Sequence, residues 1–197
     1  PLAFTAPPDS TPPTIDVSVA GSEVNGWYTS NATVTWLVTD PESPFTATGC
    51  DQVTVSSDTA GTTFTCSATS AGGTSSQSVT IKRDSTSPSI ASVSTNAPAL
   101  WPPNHKMHAI TVSVSAADGG SGGAACRSDR CWSGAGGNQL DPDVQLIGGL
   151  VVHLRAERNG NATGRTYTIR VSCTDAAGNR SSGTTAVVVP HDQGKKK

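Results

Sequence analysis

Short runs in which apolar and polar residues alternate recur along the whole chain. Ile15, Val17 and Val19 form one such run, and residues 34–38 form another. Because successive side chains of a β-strand point to opposite faces of a sheet, each run predicts a strand with one buried face. Turn signals recur about every ten residues, the spacing typical of a β-sandwich. No long stretch has helical periodicity, and the pattern therefore predicts an all-β chain.

A strand–turn–strand pattern occurs twice, at residues 64–81 and at residues 167–189. Each copy begins with a strand that holds an aromatic residue and a cysteine. A turn of small residues follows, and a second strand ends the copy. The copies lie about 100 residues apart, which is the size of one sandwich domain. In a chain of 197 residues, this repeat predicts two tandem domains of similar design.

The same signals predict the domain organisation. We expect a Pro-rich linker or arm over residues 1–13 and a first immunoglobulin-like sandwich over residues 14–84. A second sandwich with a Gly-rich insertion follows over residues 85–192, and residues 193–197 form a tail. The Gly-rich insertion, residues 118–139, reads as a long irregular segment, which in a domain of this size is often functional.

Composition narrows the classes of partner. Charged residues make up 14% of the chain, the net charge is −2 and the isoelectric point is near 6.1. No global basic field attracts nucleic acid, so we expect no nucleic-acid partner. No apolar run is long enough to cross a bilayer, and we expect no membrane insertion. Five cysteines without a Cys-x-x-Cys pair indicate disulfides in an oxidising compartment rather than a zinc site.

The residues of both halves resemble known surface modules. Residues 26–36, the turn at residues 58–62 and the strand of Cys66 resemble bacterial immunoglobulin-like repeats of secreted and cell-surface proteins. The second half is similar to a related bacterial surface module at residues 100–107, 154–158, 174–179 and 189–193. The resemblance implies an immunoglobulin-like fold, an extracellular or cell-surface location in bacteria, and a structural or adhesive function.

The cysteines fall into two groups. Cys50 and Cys66 are the only cysteines of the first half, and we expect them to form a disulfide. In the second half, the resemblance favours Cys126 as the partner of Cys173, with Cys131 as the alternative. Relatives are expected to carry Asp-Asn-Cys where this chain has residues 118–120, so the pairing stays open. On the favoured pairing, Cys131 is a free thiol or joins another chain.

Other side chains are candidates for ligand contacts. Trp132 could stack on a sugar ring or pack on the neighbouring disulfide. Five arginines make the last strands of the second domain locally basic: Arg155, Arg158, Arg165, Arg170 and Arg180. They suit either an acidic polysaccharide or a solvated strand face paired with Glu157, and Arg155 and Arg158 are the candidate ligand contacts. Oxygen-rich loops at sandwich ends bind calcium in many surface modules. The calcium candidates here are Asp118, Asp141, Asp143 and Asp175, and we expect no other cofactor.

No catalytic motif accompanies these residues. The chain lacks a Gly-x-Ser-x-Gly elbow, an assignable pair of catalytic carboxylates and a phosphate-binding loop. We therefore expect a non-catalytic extracellular structural or adhesive module, not an enzyme. Its expected partners are neighbouring domains, copies of itself or a surface polysaccharide. One alternative is a filament subunit that assembles by strand addition through its N-terminal arm, and another is an accessory carbohydrate-binding module of a secreted hydrolase.

Overall fold

The computed structural model describes residues 8–134, 142–158 and 164–191, and within them the chain is all-β. It consists of two tandem immunoglobulin-like β-sandwiches joined by a short linker, which confirms the predicted fold class. Residues 1–86 form one compact unit and residues 87–197 the other. No helix in the described part of the chain is long and apolar enough to span a membrane.

The first sandwich contains eight strands in two sheets. The strands are β1 (Thr14–Ala20), β2 (Glu23–Val24), β3 (Trp27–Tyr28), β4 (Ala32–Thr39), β5 (Thr46–Thr48), β6 (Val53–Val55), β7 (Thr59–Ser70) and β8 (Gly73–Arg83). One sheet has the order β1-β4-β6, and the other has the order β2-β3-β8-β7-β5. The long hairpin of β7 and β8 pairs antiparallel and supplies most of the larger sheet.

The core of the first sandwich is small. It is built from the inward positions of the alternating runs, which are Ile15, Ala32, Val34, Trp36, Cys66, Ala68 and Ile81. Their polar neighbours along the same strands face outward, as period-2 alternation requires. A core of this size leaves a modest hydrophobic stabilisation, and covalent cross-linking therefore has a large relative effect.

The described residues of the second sandwich form seven strands in two sheets. The strands are β9 (Ser89–Thr95), β10 (Met107–Ala117), β11 (Ala125–Ser133), β12 (Val144–Gly148), β13 (Val151–Arg155), β14 (Gly164–Thr174) and β15 (Arg180–Pro190). The sheets have the orders β12-β13-β10-β9 and β11-β14-β15. Its core is larger, and Tyr167, Ile169 and Val171 of β14 lie at its centre with no exposed surface.

The expectation of an irregular segment over residues 118–139 is wrong for residues 125–133, which form β11. A β-bulge at Asp129 shifts the register between Ser128 and Arg130. The extra residue places Cys126 and Cys131 five positions apart although both face inward, so the sequence shows no simple alternation. Residues 135–139 of the expected segment lie outside the described residues.

Each sandwich holds one disulfide, and both disulfides fix an edge strand. Cys50 follows β5, the edge of the five-stranded sheet, and bonds Cys66 on β7. Cys126 on the edge strand β11 bonds Cys173, its direct neighbour in register on β14. Neither bond connects the two sheets of a sandwich, which is where antibody domains carry theirs. The disulfides therefore hold edge strands in register rather than clamp sheet to sheet.

Replacement of Ile169 by Ala tests the assignment of the second core. Ile169 is fully buried, and we expect the Ile169→Ala variant to lose about 3 kcal/mol of unfolding free energy through lost burial and a residual cavity. The matched control is Ile147→Ala, because the Ile147 side chain is 55% exposed. The control should lose less than about 0.5 kcal/mol in the same urea titration. Equal losses in the two variants would contradict the assignment.

Candidate functional site

The outward face of the β11-β14-β15 sheet carries a concentration of positive charge. Cross-strand register places Arg127 opposite Ser172, Arg130 opposite Arg170, and Trp132 opposite Thr168. Arg180 lies opposite Thr174 at the end of β15. Because paired residues of an antiparallel sheet share a face, these side chains project from one surface. The basic face is defined here as Arg127, Arg130, Trp132, Arg170 and Arg180.

The bulge residue Asp129 organises the centre of the basic face. Arg170 donates from Nε to Asp129 Oδ1 at 2.9 Å and from Nη2 to Oδ2 at 2.8 Å. Ser172 Oγ donates to the same carboxylate at 2.6 Å. The bidentate bond from Arg170, with a further contribution from Ser172, lowers the pKa of Asp129. The guanidinium of Arg130 lies 5.6 Å from the centre of the Trp132 ring, in cation–π contact.

The structure places the candidate ligand contacts Arg155 and Arg158 away from Trp132. Arg155 lies at the end of β13 in the opposite sheet, and its Nε is 2.6 Å from Asp143 Oδ1. Arg158 follows β13 and donates from Nη1 to the carbonyl of His191. Their charges are therefore engaged in contacts within the sandwich. Four other arginines form the basic face.

The structure places the calcium candidates in different environments. Asp143 bridges Arg155 and Arg165, whose two guanidinium groups balance its charge. This geometry does not favour calcium at Asp143, and calcium binding there stays a prediction. Asp141 lies outside the described residues. Carboxylate oxygens of Asp118 and Asp175 approach within 4.8 Å of each other. Calcium binding by this pair stays a prediction.

Turn chemistry accounts for much of the bonding around these two carboxylates. Asp175 accepts hydrogen bonds from Asn179 N at 2.8 Å and from Asn179 Nδ2 at 3.0 Å. Asp118 accepts one from the backbone N–H of Gly122 at 3.1 Å. Short polar side chains commonly close turns in this way.

Cys131 lies in the core of the second sandwich. Its side chain is 1% exposed, and it faces inward on β11. A thiol in this position cannot approach a cysteine of another molecule while the sandwich stays folded. The expectation that Cys131 joins another chain is therefore wrong for the folded protein.

The N-terminal arm is bonded to the first sandwich over its described part. Ser43 and Ser70 donate their hydroxyls to Asp9 Oδ2, and the backbone N–H of Gly72 donates to the same oxygen at 2.7 Å. The bond from Ser43, followed by those from Ser70 and Gly72, lowers the pKa of Asp9 to about 2. Asp9 thus joins the arm to the loop after β4 and to the β7–β8 turn.

A second carboxylate holds the next residues of the arm. Glu42 Oε2 accepts hydrogen bonds from the backbone N–H groups of Ser10 and Thr11 and from the Thr11 hydroxyl. A Cβ at Gly72 would lie 2.2 Å from the Thr11 carbonyl oxygen, so only glycine permits this close approach. Residues 9–11 and the β7–β8 turn are therefore in direct contact.

Asp58 holds the other end of the first sandwich. Its carboxylate accepts hydrogen bonds from Arg83 Nη1, from the backbone N–H and hydroxyl of Ser85, and from Thr86 Oγ1 at 2.6 Å. The bond from Thr86, followed by those from Ser85 and the charge of Arg83, lowers the pKa of Asp58. The sequence suggested only a turn at residues 58–61, because the bonding partners of Asp58 lie 25 or more positions away along the chain.

Hydroxyl groups cover the outer face of the larger sheet of the first sandwich. Four successive cross-strand pairs of β7 and β8 contain only Ser and Thr: Thr63–Thr80, Thr65–Ser78, Ser67–Ser76 and Thr69–Thr74. In three of them the two hydroxyl oxygens are 2.7 to 2.9 Å apart. The alternation was visible in the sequence, but which hydroxyl groups pair across the hairpin depends on its register.

An open cleft of about 410 Å³ lies beside β6 and the start of β7. Val53, Val55 and Phe64 supply its apolar lining, and Ser and Thr side chains supply the remainder. Asp58 is the titratable residue among its lining residues. Since that carboxylate is bonded to Arg83, Ser85 and Thr86, the cleft does not present it to a substrate.

The chain is similar to several solved structures. Fragment I67–I69 from the I-band of titin shares 12% identity with a TM-score of 0.43, over 90% of this chain and 65% of that chain. Immunoglobulin domains 1–5 of Sidekick-1 share 11% identity with a TM-score of 0.49, over 91% of this chain and 39% of that chain. The chain thus spans less than two thirds of either protein fragment.

A bacterial structure is also similar. The fibronectin(III)-like modules of Clostridium thermocellum CbhA share 13% identity with a TM-score of 0.35, over 90% of this chain and 94% of that chain. At these identities and scores, the similarities concern the fold alone. No protein-family model matches the chain. No curated protein matches it either.

The burial of Cys131 predicts its reactivity. In the native, non-reduced chain we expect no alkylation by iodoacetamide, and in urea without reductant we expect one alkylated thiol, measured by mass spectrometry. The Cys131→Ala variant should take up no label in either condition. A disulfide-linked dimer of the wild type that disappears in Cys131→Ala would contradict the burial.

The lowered pKa values predict acid sensitivity of the first sandwich. A carboxylate whose folded pKa lies below its unfolded value of about 3.9 stabilises the fold above that pH, and the stabilisation is lost as the pH falls through the folded pKa. We expect the stability of residues 14–83, measured by hydrogen exchange, to fall between about pH 4 and pH 2.

The Asp58→Asn variant isolates one contribution to this effect. At pH 7 it should be about 1–2 kcal/mol less stable than the wild type, because charged hydrogen bonds are replaced by weaker neutral ones. Its loss of stability on acidification should be smaller. Asp16→Asn, which removes an exposed carboxylate of β1, is the matched control and should resemble the wild type. Identical pH profiles for Asp58→Asn and wild type would contradict the assignment.

Proposed function

We propose that the chain is a non-catalytic structural and adhesive module of a secreted or cell-surface protein, and that it transmits tension between neighbouring domains. One observation supports this proposal most directly. The first sandwich is bonded to its own entering segment through Asp9 and Glu42, and to its own leaving segment through Asp58. Three of its carboxylates thus hold chain ends.

The positions of these bonds suit a domain that is pulled at its ends. Tension in a tandem protein enters each domain through the main chain at its two termini. Asp9 joins the entering segment to the β7–β8 turn, and Asp58 joins residues 83–86 to the start of β7. Both groups must separate before the terminal strands can detach. Charge-assisted bonds to backbone N–H groups are among the stronger hydrogen bonds of proteins.

The disulfides support an extracellular location. Two of them are present, and such bonds persist in oxidising compartments. Each shortens the length of chain that can extend if its domain unfolds. The resemblance to bacterial surface modules favours a bacterial cell surface or secretion as the setting.

The filament alternative receives less support from the structure. Strand addition needs a segment that is available to a neighbouring molecule. The described part of the arm, residues 8–13, is instead bonded to its own sandwich through Asp9 and Glu42. Exchange of the arm would first have to break these bonds. The carbohydrate-binding alternative is supported by a separate surface, the basic face.

Single-molecule stretching of the full chain between reference domains tests the proposal. We expect the Asp58→Asn variant to unfold its first sandwich at a clearly lower force than the wild type, since the leaving segment loses its charged bonds. Asp16→Asn is the control and should unfold at the wild-type force. Equal unfolding forces for the wild type and Asp58→Asn would contradict the tension-transmitting role.

The disulfides identify each domain in the same recordings. Reduction should lengthen the extension of the first sandwich by about 55 Å, for a cysteine separation of 16 residues. It should lengthen that of the second by about 160 Å, for a separation of 47 residues. Events without these increments belong to other domains and are excluded from the comparison.

A further inference from the structure

We propose that the basic face of the second sandwich binds an anionic polysaccharide, through guanidinium contacts to its carboxylate or sulfate groups and stacking of a sugar ring on Trp132. The proposal deepens the adhesive part of the proposed function and rests on it. Of the arginines that the sequence suggested, it keeps Arg170 and Arg180, and it adds Arg127 and Arg130, which the register of β11 places on the same face as Trp132.

The arrangement of charge at the centre of the basic face is unfavourable for the stability of the sheet. Arg130 and Arg170 are direct cross-strand neighbours, and like charges in opposite positions destabilise a sheet. Asp129 is the one acidic residue on β11, β14 and β15, all of which the structure describes, and it is bonded to Arg170. Four arginines therefore share a face with a single carboxylate. An anionic ligand would relieve this repulsion.

The excess of positive charge that would attract an anionic ligand is not confined to the basic face. Residues 87–197 contain eleven of the thirteen Lys and Arg residues but only seven of the fifteen Asp and Glu residues. The net charge of −2 for the whole chain conceals a basic second unit and an acidic first unit. A polyanion is therefore attracted to the second unit specifically, and this attraction weakens with salt.

The side chains of the face are held in place before a ligand arrives. The bidentate bond with Asp129 engages Nε and Nη2 of Arg170 and fixes the plane of that guanidinium. Arg130 is held against the Trp132 ring. The planar donor fork of arginine matches the geometry of carboxylate and sulfate groups, and because Arg170 already uses its fork on Asp129, the exposed Arg127 and Arg180 are the arginines that present one to a ligand. Preorganised side chains lose less conformational freedom on binding.

The shape of the face favours a polysaccharide over nucleic acid. From Arg127 to Trp132 the strand spans roughly 15 Å, which accommodates a short stretch of a sugar chain. Trp132 is half-buried and offers one ring. Proteins that hold single-stranded nucleic acid stack successive bases on several aromatic side chains, and this face carries one.

Affinity electrophoresis of the full, disulfide-bonded chain tests the proposal. Native gels contain polygalacturonate, dextran sulfate, neutral dextran or no polymer, and a parallel gel contains single-stranded DNA. We expect retardation by one or both anionic polysaccharides, and none by dextran. Polygalacturonate and dextran sulfate separate carboxylate recognition from sulfate recognition. The retardation should weaken as salt increases.

Two variants localise the binding. Arg127→Glu reverses an exposed charge on the face and should weaken retardation about tenfold. Lys106→Glu makes the same charge change on an exposed residue beside β10, in the opposite sheet, and is the matched control. It should change retardation less than about twofold. Equal weakening by the two variants would overturn the site and leave only an attraction to net charge.

Trp132 tests the stacking contact. Trp132→Ala should weaken polysaccharide binding. Trp132→Tyr should retain most of it, because the tyrosine ring also stacks on a sugar. Thermal unfolding of both variants identifies any loss that comes from misfolding. A stable Trp132→Ala variant with wild-type retardation overturns the stacking contact.

The remaining outcomes also decide between explanations. Equal or stronger retardation by DNA would overturn polysaccharide recognition in favour of a general polyanion surface. No retardation by any anionic polymer would overturn the proposal altogether. The stretching experiment is independent of this result, so a chain that transmits tension without binding a glycan would leave the structural role intact.

Discussion

The second sandwich depends on one covalent constraint, the bond between Cys126 and Cys173. These residues are direct cross-strand neighbours, and their bond fixes the edge strand β11 on β14 at a single register. An edge strand has hydrogen-bonded neighbours on one side only and can slip or fray. A slip of one residue would turn Arg130 and Trp132 into the core and Cys131 out of it. The positions of Arg127, Arg130 and Trp132 on the basic face therefore depend on this bond.

The first sandwich is held in a similar way, but hydrogen bonds as well as a disulfide fix its segments. Its disulfide also fixes an edge, the segment after β5, while carboxylates fix the two chain ends. Asp9 and Asp58 both have lowered pKa values because several donors converge on each of them. With a core of only seven buried residues, such local bonds make up a large share of what holds the domain together.

Strands with clean alternation were predictable from the sequence, and β11, whose alternation a bulge interrupts, was not. Residues 15–19 and 34–38 alternate without interruption, and both are strands. The bulge at Asp129 concealed β11, because one extra residue reverses the phase of the pattern. The basic face was predictable only in part. Arg130 and Arg170 are 40 positions apart, and only the register of two strands places them side by side. The sequence therefore grouped Arg170 and Arg180 with Arg155, which belongs to the opposite sheet, and with Arg158, which follows it.

The hydroxyl pairs on β7 and β8 have a consequence for the surface of the first sandwich. In three of these pairs, each hydroxyl group satisfies its neighbour, and no member of the four pairs carries an ionisable group. Over these four pairs, water therefore meets polar groups that carry no charge, and the exposed Lys82 follows two positions after Thr80 on the same face of β8. The hydration of the four pairs themselves should be the same at low and high salt, and the same at any pH that the fold survives. These hydroxyl pairs thus form a surface whose hydration does not respond to salt or to pH.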